Sequence, residues 1–146
     1  DANDVAEPLV AWTPTVATSD IVYYNHPAIP EWQDHILMTS LKNKRIYDLE
    51  LDESGTAVIS QEQFFTNWWG RLRDILIGPS GEIYLATSGA NWQNTEPFTH
   101  GIVKIWNPEY VSIVIKMRPH NSVFFQILRK TKSGYRLLKN LWDSRS

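Results

Sequence analysis

The sequence predicts an all-β fold of antiparallel strands. Seven short β-type runs follow one another, Gly, Pro, Asn and Asp separate them, and one run, Arg45-Ile46-Tyr47-Asp48-Leu49-Glu50-Leu51, alternates polar and apolar positions as a strand with one buried face does.

A polar lead, Asp1 to Glu7, precedes the runs. The predicted strands are Ile21 to Tyr24, Ile36 to Leu41, Arg45 to Leu51, Val58 to Phe65, Leu72 to Ile77, Ile83 to Thr87 and Gly101 to Trp106. The turns between them carry Asn25-His26-Pro27, Asn43-Lys44, Asp52-Glu53-Ser54-Gly55 and Gly78-Pro79-Ser80-Gly81. Leu72 to Ile77 and Ile83 to Thr87 flank the tightest of these and read as a β-hairpin. A long polar loop, Gly89 to His100, joins the last two strands, and such loops are often functional. From Ser122 onward apolar residues recur at partly helical spacing, interrupted by Gly134, so a helical tail is expected. The segment Ile36-Leu37-Met38-Thr39-Ser40 is echoed 47 positions later by Ile83-Tyr84-Leu85-Ala86-Thr87, near the repeat length of propeller blades.

The chain has 146 residues, 42% of them hydrophobic, enough for one domain with a core. No apolar run is long enough to cross a bilayer as a helix. The chain opens without Met and without a basic, then apolar leader, so any export signal is expected to have been removed or to lie outside it. It has no cysteine, which excludes disulfides, thiolate metal sites and thiol nucleophiles. The net charge of −2 hides an asymmetry. Residues 1–110 carry six basic and fifteen acidic side chains, a net of −9; residues 111–146 carry eight basic side chains and Asp143, a net of +7. Two parts are expected, with a junction near 110. The basic tail is also apolar (Phe124, Phe125, Ile127, Leu128, Leu137, Leu138, Leu141, Trp142), which favours a packing or partner-binding tail over nucleic-acid binding.

No nucleophile elbow, phosphate-binding glycine loop, zinc-type histidine cluster or EF-hand loop is present. His26, His35, His100 and His120 have no partners at metal-ligand spacing and read as ordinary surface or core histidines. Basic groups remain. Strand alternation puts Arg71 and Arg73 on one face of the hairpin, about 7 Å apart, suited to a ligand bearing carboxylates or phosphates. Residue types alone favour the plainer reading, surface arginines paired with acids such as Asp74 or Glu62. Lys42, at the turn after Ile36 to Leu41, is a possible third cation.

Three segments, in order and spacing, resemble the soluble quinoprotein glucose and aldose sugar dehydrogenases, the glucose/sorbosone dehydrogenase family. They are Trp12-Thr13-Pro14-Thr15-Val16-Ala17-Thr18-Ser19, Pro30 to Leu37 with Ser40-Leu41-Lys42, and Gly70-Arg71-Leu72-Arg73-Asp74 with Gly78-Pro79-Ser80-Gly81 and Tyr84. The resemblance covers about residues 7–108. It implies about two C-terminal blades of a six-bladed β-propeller over 1–110, followed by the basic tail 111–146. It further implies pyrroloquinoline quinone with calcium as cofactors and a periplasmic or secreted location. Carried over position by position, Lys42, Arg71 and Arg73 would hold the cofactor's carboxylates, with Thr15 and Trp12 beside them.

The activity implied is oxidation of an aldose at C1, with electrons passing to a separate acceptor. The family's catalytic histidine and calcium site belong to earlier blades, so no catalytic or metal residue is assigned here. A non-catalytic propeller-type binding module is the alternative. Three positions depart from the family: Thr18 stands where Pro is usual, Asp20 stands where a small residue is usual and would repel a bound anion if it faced inward, and Ser80 replaces an Asp. Strand edges and apolar faces left open by two blades predict self-association.

Overall fold

The computed structural model of the chain describes residues 6–89, 99–107, 123–131 and 134–141. Nine strands form two sheets. The first has the order β1 (Thr18–Tyr24), β2 (His35–Ser40), β3 (Ile46–Leu51), β4 (Val58–Phe64), antiparallel throughout. The second runs β5 (Arg71–Ile77), β6 (Ile83–Ser88), β7 (Ile102–Ile105), β8 (Val123–Thr131), β9 (Gly134–Leu141). All seven expected strands are present as β1 to β7, with ends shifted by no more than three residues.

The tail is a correction. Its described residues, 123–131 and 134–141, form β8 and β9, an antiparallel hairpin in which Thr131 pairs with Gly134, instead of a helix. Val, Ile, Phe, Tyr and Thr in this stretch favour a pleated backbone, and Gly134 begins a strand at a two-residue connection, where a glycine serves a turn. The second sheet also departs from a purely antiparallel pattern, because β8 pairs with β7 in parallel. The stretch 106–122 between them is long enough for the crossover that a parallel pair requires.

The core lies between the sheets. Tyr24, Leu37 and Ile46 of the first sheet meet Leu72, Ile75, Ile83, Leu85, Val103 and Ile105 of the second. A short 3₁₀ turn at Pro30–Trp32, with proline in its first turn, drops the fully buried Trp32 into this core. Its ring meets Tyr24 edge-on at 6.4 Å between centroids and Phe64 at 5.4 Å. Tyr24 is fully buried and its hydroxyl donates to the Gly81 carbonyl at 2.6 Å, so one polar bond spans the apolar interface. Gly81 is required there. Its φ is +77°, and a Cβ would lie 2.6 Å from the Ala28 Cβ and collide with the His26 ring. On its other face the first sheet buries Met38, Tyr47 and Leu49 beneath Val16 and Trp12 of the preceding segment.

The first strands of the two sheets, β1 and β5, run side by side in the same direction. The Ser19 hydroxyl donates to the Leu72 carbonyl at 2.7 Å, and the Ile75 N–H donates to the Asp20 carboxylate at 3.0 Å. Each strand carries a bulge at the same height, between Thr18 and Asp20 and between Leu72 and Asp74. The expected echo is a structural repeat in its first half: Ser40 pairs with Thr18 as Thr87 pairs with Leu72, and Thr39 pairs with Asp20 as Ala86 pairs with Asp74.

Candidate functional site

Because β1 and β5 are parallel and β2 and β6 return antiparallel to them, one end of the molecule collects four segments. These are the lead into β1, the β2–β3 turn, the β4–β5 connector and the segment entering β7. Thr15, Lys42, Arg71 and Arg73 all lie at this end. The Leu41 and Lys42 N–H groups donate to the Ala17 and Val16 carbonyls at 2.9 and 3.3 Å, which sets the Lys42 turn against the Thr15 segment. The Asn67 N–H donates to the Lys44 carbonyl at 2.9 Å, which ties the connector leading to Arg71 to the same turn.

Backbone geometry marks this end. Five of the six non-glycine residues with positive φ among the described residues fall here: Ala17, Lys44, Phe65, Asn67 and His100, with only Asp34 at the opposite end. Left-handed backbone at ordinary residues is held only where neighbours over-determine it, and it gathers at functional ends. Gly70 (φ +75°) starts the arginine strand, where a Cβ would stand 2.8 Å from the Ser88 carbonyl and 3.0 Å from the Thr99 methyl. The Thr87 hydroxyl brackets Gly101, accepting from its N–H and donating to its carbonyl, both at 3.1 Å, and so fixes the entry to β7.

Lys42 and Arg73 are exposed and Arg71 is half-buried. Arg73 is the unpaired residue of the β5 bulge, so strict alternation does not run through it; Leu72 and Ile75, three apart, are both buried. Its Nε donates to the buried Ser88 hydroxyl at 2.8 Å. Among the described residues none of the three cations forms an ion pair with an acid. The acids named as surface partners are placed otherwise: Asp74 is bonded to Asp20, and Glu62 sits on β4 opposite Asp48.

Asp20 does not stand as a free anion in the site. Burial would push its carboxyl up, but the Ile75 N–H, the Asp74 carboxyl and its neighbour's Ile21 N–H together hold it below the usual carboxylate range. Asp74, hydrogen-bonded to Asp20 and facing its negative charge, is correspondingly raised.

The Trp12 indole leans on Tyr47 at 5.5 Å between centroids, and the Tyr47 hydroxyl accepts from the Asn43 amide at 2.7 Å, next to Lys42. The Trp12 N–H is buried with no hydrogen-bond partner among the described residues.

The histidines are accounted for separately. His35 bonds Asp48 at 2.8 Å, His26 accepts from the Ala28 N–H at 3.1 Å, His100 is exposed, and His120 lies outside the described residues. Among the described residues no group of three His, Asp or Glu side chains is placed to hold a metal ion.

Sequence reasoning missed the Asp20–Asp74 clasp and the Ser88 anchor under Arg73. The clasp had a signal: Ser19-Asp20-Ile21-Val22 and Arg73-Asp74-Ile75-Leu76 repeat one pattern on the first strands of the two sheets.

Two face-packed sheets whose first strands run parallel, with cations gathered at one end, define a part of a β-propeller. Comparison with known proteins agrees. The sequence profile of the glucose/sorbosone dehydrogenase family matches residues 1–95, and the chain belongs to that family. It is 28% identical over 81 residues, 56% of this chain, to the aldose sugar dehydrogenase YliI of Escherichia coli K12. It is 34% identical over 90 residues, 62% of this chain, to the uncharacterized protein slr1608 of Synechocystis. A solved glucose dehydrogenase structure superposes with a TM-score of 0.52 at 25% identity, over 58% of this chain and 24% of that one. The chain spans 21% of the length of each of these two curated relatives.

Proposed function

We propose that this chain supplies the carboxylate-holding side of a pyrroloquinoline quinone site in an aldose dehydrogenase of this family. The observation that carries the reading is the gathering of Lys42, Arg71 and Arg73 at one end with no acid among the described residues to neutralise them. Three such cations fit a planar group bearing several carboxylates, whereas cations meant only for surface pairing would face acids. When bound, the quinone supplies an acceptor for the hydride lost from C1 of the sugar. Arg71 and Arg73 would hold its carboxylates through their guanidinium donors, Lys42 would add a point charge, and Thr15 and the Trp12 N–H, which has no partner among the described residues, would offer further donors. Clustered positive charge also favours the reduced, more electron-rich form of a bound quinone.

No residue of this chain is given the role of base or calcium ligand; in the whole enzyme those come from outside residues 1–146. The sugar and the electron acceptor are the partners, and a periplasmic or secreted setting follows from the same family reading. No helix among the described residues is long and apolar enough to cross a membrane. Residues 1–110 are the propeller part and 111–146 an added tail.

Titration of pyrroloquinoline quinone into the chain by calorimetry tests the reading. Saturable binding that weakens in Lys42→Ala and Arg71→Ala, and with added salt, supports it. A folded protein that binds no quinone replaces it with the non-catalytic propeller-type binding module.

A further inference from the structure

Arg73 is the extra residue of the β5 bulge, between Leu72 and Asp74. A bulge interrupts the ladder, so the direction of the side chain it carries depends on what holds the backbone on either side. The first sheet holds β5 on both sides of Arg73. Before it, the Leu72 carbonyl accepts from the Ser19 hydroxyl at 2.7 Å. After it, the Ile75 N–H donates to the Asp20 carboxylate at 3.0 Å, and Asp74 is hydrogen-bonded to the same carboxylate.

These contacts are made bulge to bulge, since Ser19 is itself the extra residue of the β1 bulge. Behind them the fully buried Thr39 hydroxyl stands 2.9 Å from the Ser19 hydroxyl and 3.3 Å from the Asp20 carbonyl. Both Asp20 carboxylate oxygens are taken, one by the Ile75 N–H and the other by the Ile21 N–H at 2.8 Å. A small residue at position 20 would leave the Ile75 side of the bulge without this bond.

We propose that Asp20, together with Ser19, is a positioning residue for Arg73: from the neighbouring sheet the two fix the β5 bulge and so hold the guanidinium where it can take a carboxylate of the ligand. The quinone as that ligand rests on the function proposed above; the hold on Arg73 does not. Small displacements of an orienting group weaken what it orients, so loss of the hold is felt at the ligand.

Asp20→Asn and Asp20→Ala separate the hold from the charge, because both remove the negative charge and only asparagine keeps an oxygen for the Ile75 N–H. In calorimetric titration of pyrroloquinoline quinone, Asp20→Asn is expected to bind at least as tightly as the wild type. Asp20→Ala should bind about fivefold more weakly than Asp20→Asn, the contribution of one ordinary hydrogen bond. With Arg73→Ala added to each, the two should bind alike, since nothing is left to position. Ser19→Ala, which changes no charge, should weaken binding only while Arg73 is present. It decides the matter if near-ultraviolet circular dichroism finds Asp20→Ala unfolded. A readout without the quinone is the Arg73 Nε–H resonance in heteronuclear NMR, identified by its loss in Arg73→Ala. It should shift and exchange faster with water in Asp20→Ala and stay as in the wild type in Asp20→Asn. A chain that binds no quinone yet shows these changes would overturn the cofactor reading and support the positioning. In a chain that binds quinone, equal binding by Asp20→Asn and Asp20→Ala, or a gap between them that survives Arg73→Ala, overturns the proposal. So does an Nε–H resonance indifferent to Asp20→Ala.

Discussion

Replacement of Arg73 by alanine isolates one arm of the proposed cofactor cradle. One of the five guanidinium N–H donors is taken by Ser88 at 2.8 Å, which anchors the group and leaves its outer nitrogens for a ligand. A hydrogen bond to a charged partner contributes about 1.5–3 kcal/mol. Coulomb attraction at 4 Å is about 1 kcal/mol in water and about 4 kcal/mol at the effective dielectric near a protein surface. Because Arg73 is exposed, the lower part of this range applies: about 1.5–2 kcal/mol, or roughly a 10- to 30-fold weaker dissociation constant. The assay is calorimetric titration of pyrroloquinoline quinone at about 0.1 M salt and again at 1 M, where the Debye length falls from about 10 to 3 Å and wild type and variant should converge. Arg73→Lys keeps the charge but loses the fork and the Ser88 anchor, so it should fall between them. Thermal unfolding should barely move, since the side chain is on the surface. A change of less than twofold in a folded Arg73→Ala protein, or an equal loss at both salt concentrations, would refute the reasoning.

Three further outcomes follow from the packing and the charges. Tyr24→Phe removes the 2.6 Å bond to the Gly81 carbonyl and leaves a buried acceptor unpaired, costing about 1–3 kcal/mol, a Tm lower by roughly 3–10 °C in thermal denaturation. Gly81→Ala should lose more stability to urea than Gly55→Ala, since both have positive φ but only position 81 has neighbours within reach of a Cβ; equal losses would mean the contact is relieved without cost. Asp48 is held above the usual carboxylate range by burial, only partly offset by His35. A raised folded pKa gives stability that is present below the unfolded value and lost as pH rises through the folded one. Stability followed upward from pH 4 should therefore carry a downward component that Asp48→Asn removes, and an unchanged pH profile in that variant would contradict the assignment.

The all-β class, the seven strands to Ile105 and the arginine hairpin were legible in the sequence because each rests on local rules. Side-chain alternation, β-branched and aromatic runs and the Gly78-Pro79-Ser80-Gly81 turn act over a few residues, so β5 and β6 form where their own residues dictate. The tail misled for the same reason in reverse: its apolar spacing suits a helix face, yet residues 123–131 and 134–141 pair with each other and with β7, and those partners are remote in the chain.

By itself, the sequence determined the β-class, the strand positions and the presence of Lys42, Arg71, Arg73 and Thr15 in an order matching one family. Only the tertiary structure decided that these residues share an end, because that depends on β1 and β5 lying parallel across a sheet-to-sheet core. It alone decided that Asp20 bonds Asp74 and the Ile75 N–H instead of facing a bound anion, and that no acid among the described residues pairs with the cations. Alternation specifies which face of its own strand a side chain takes; what stands opposite is set by the stacking of one sheet on another, through contacts between residues more than fifty positions apart.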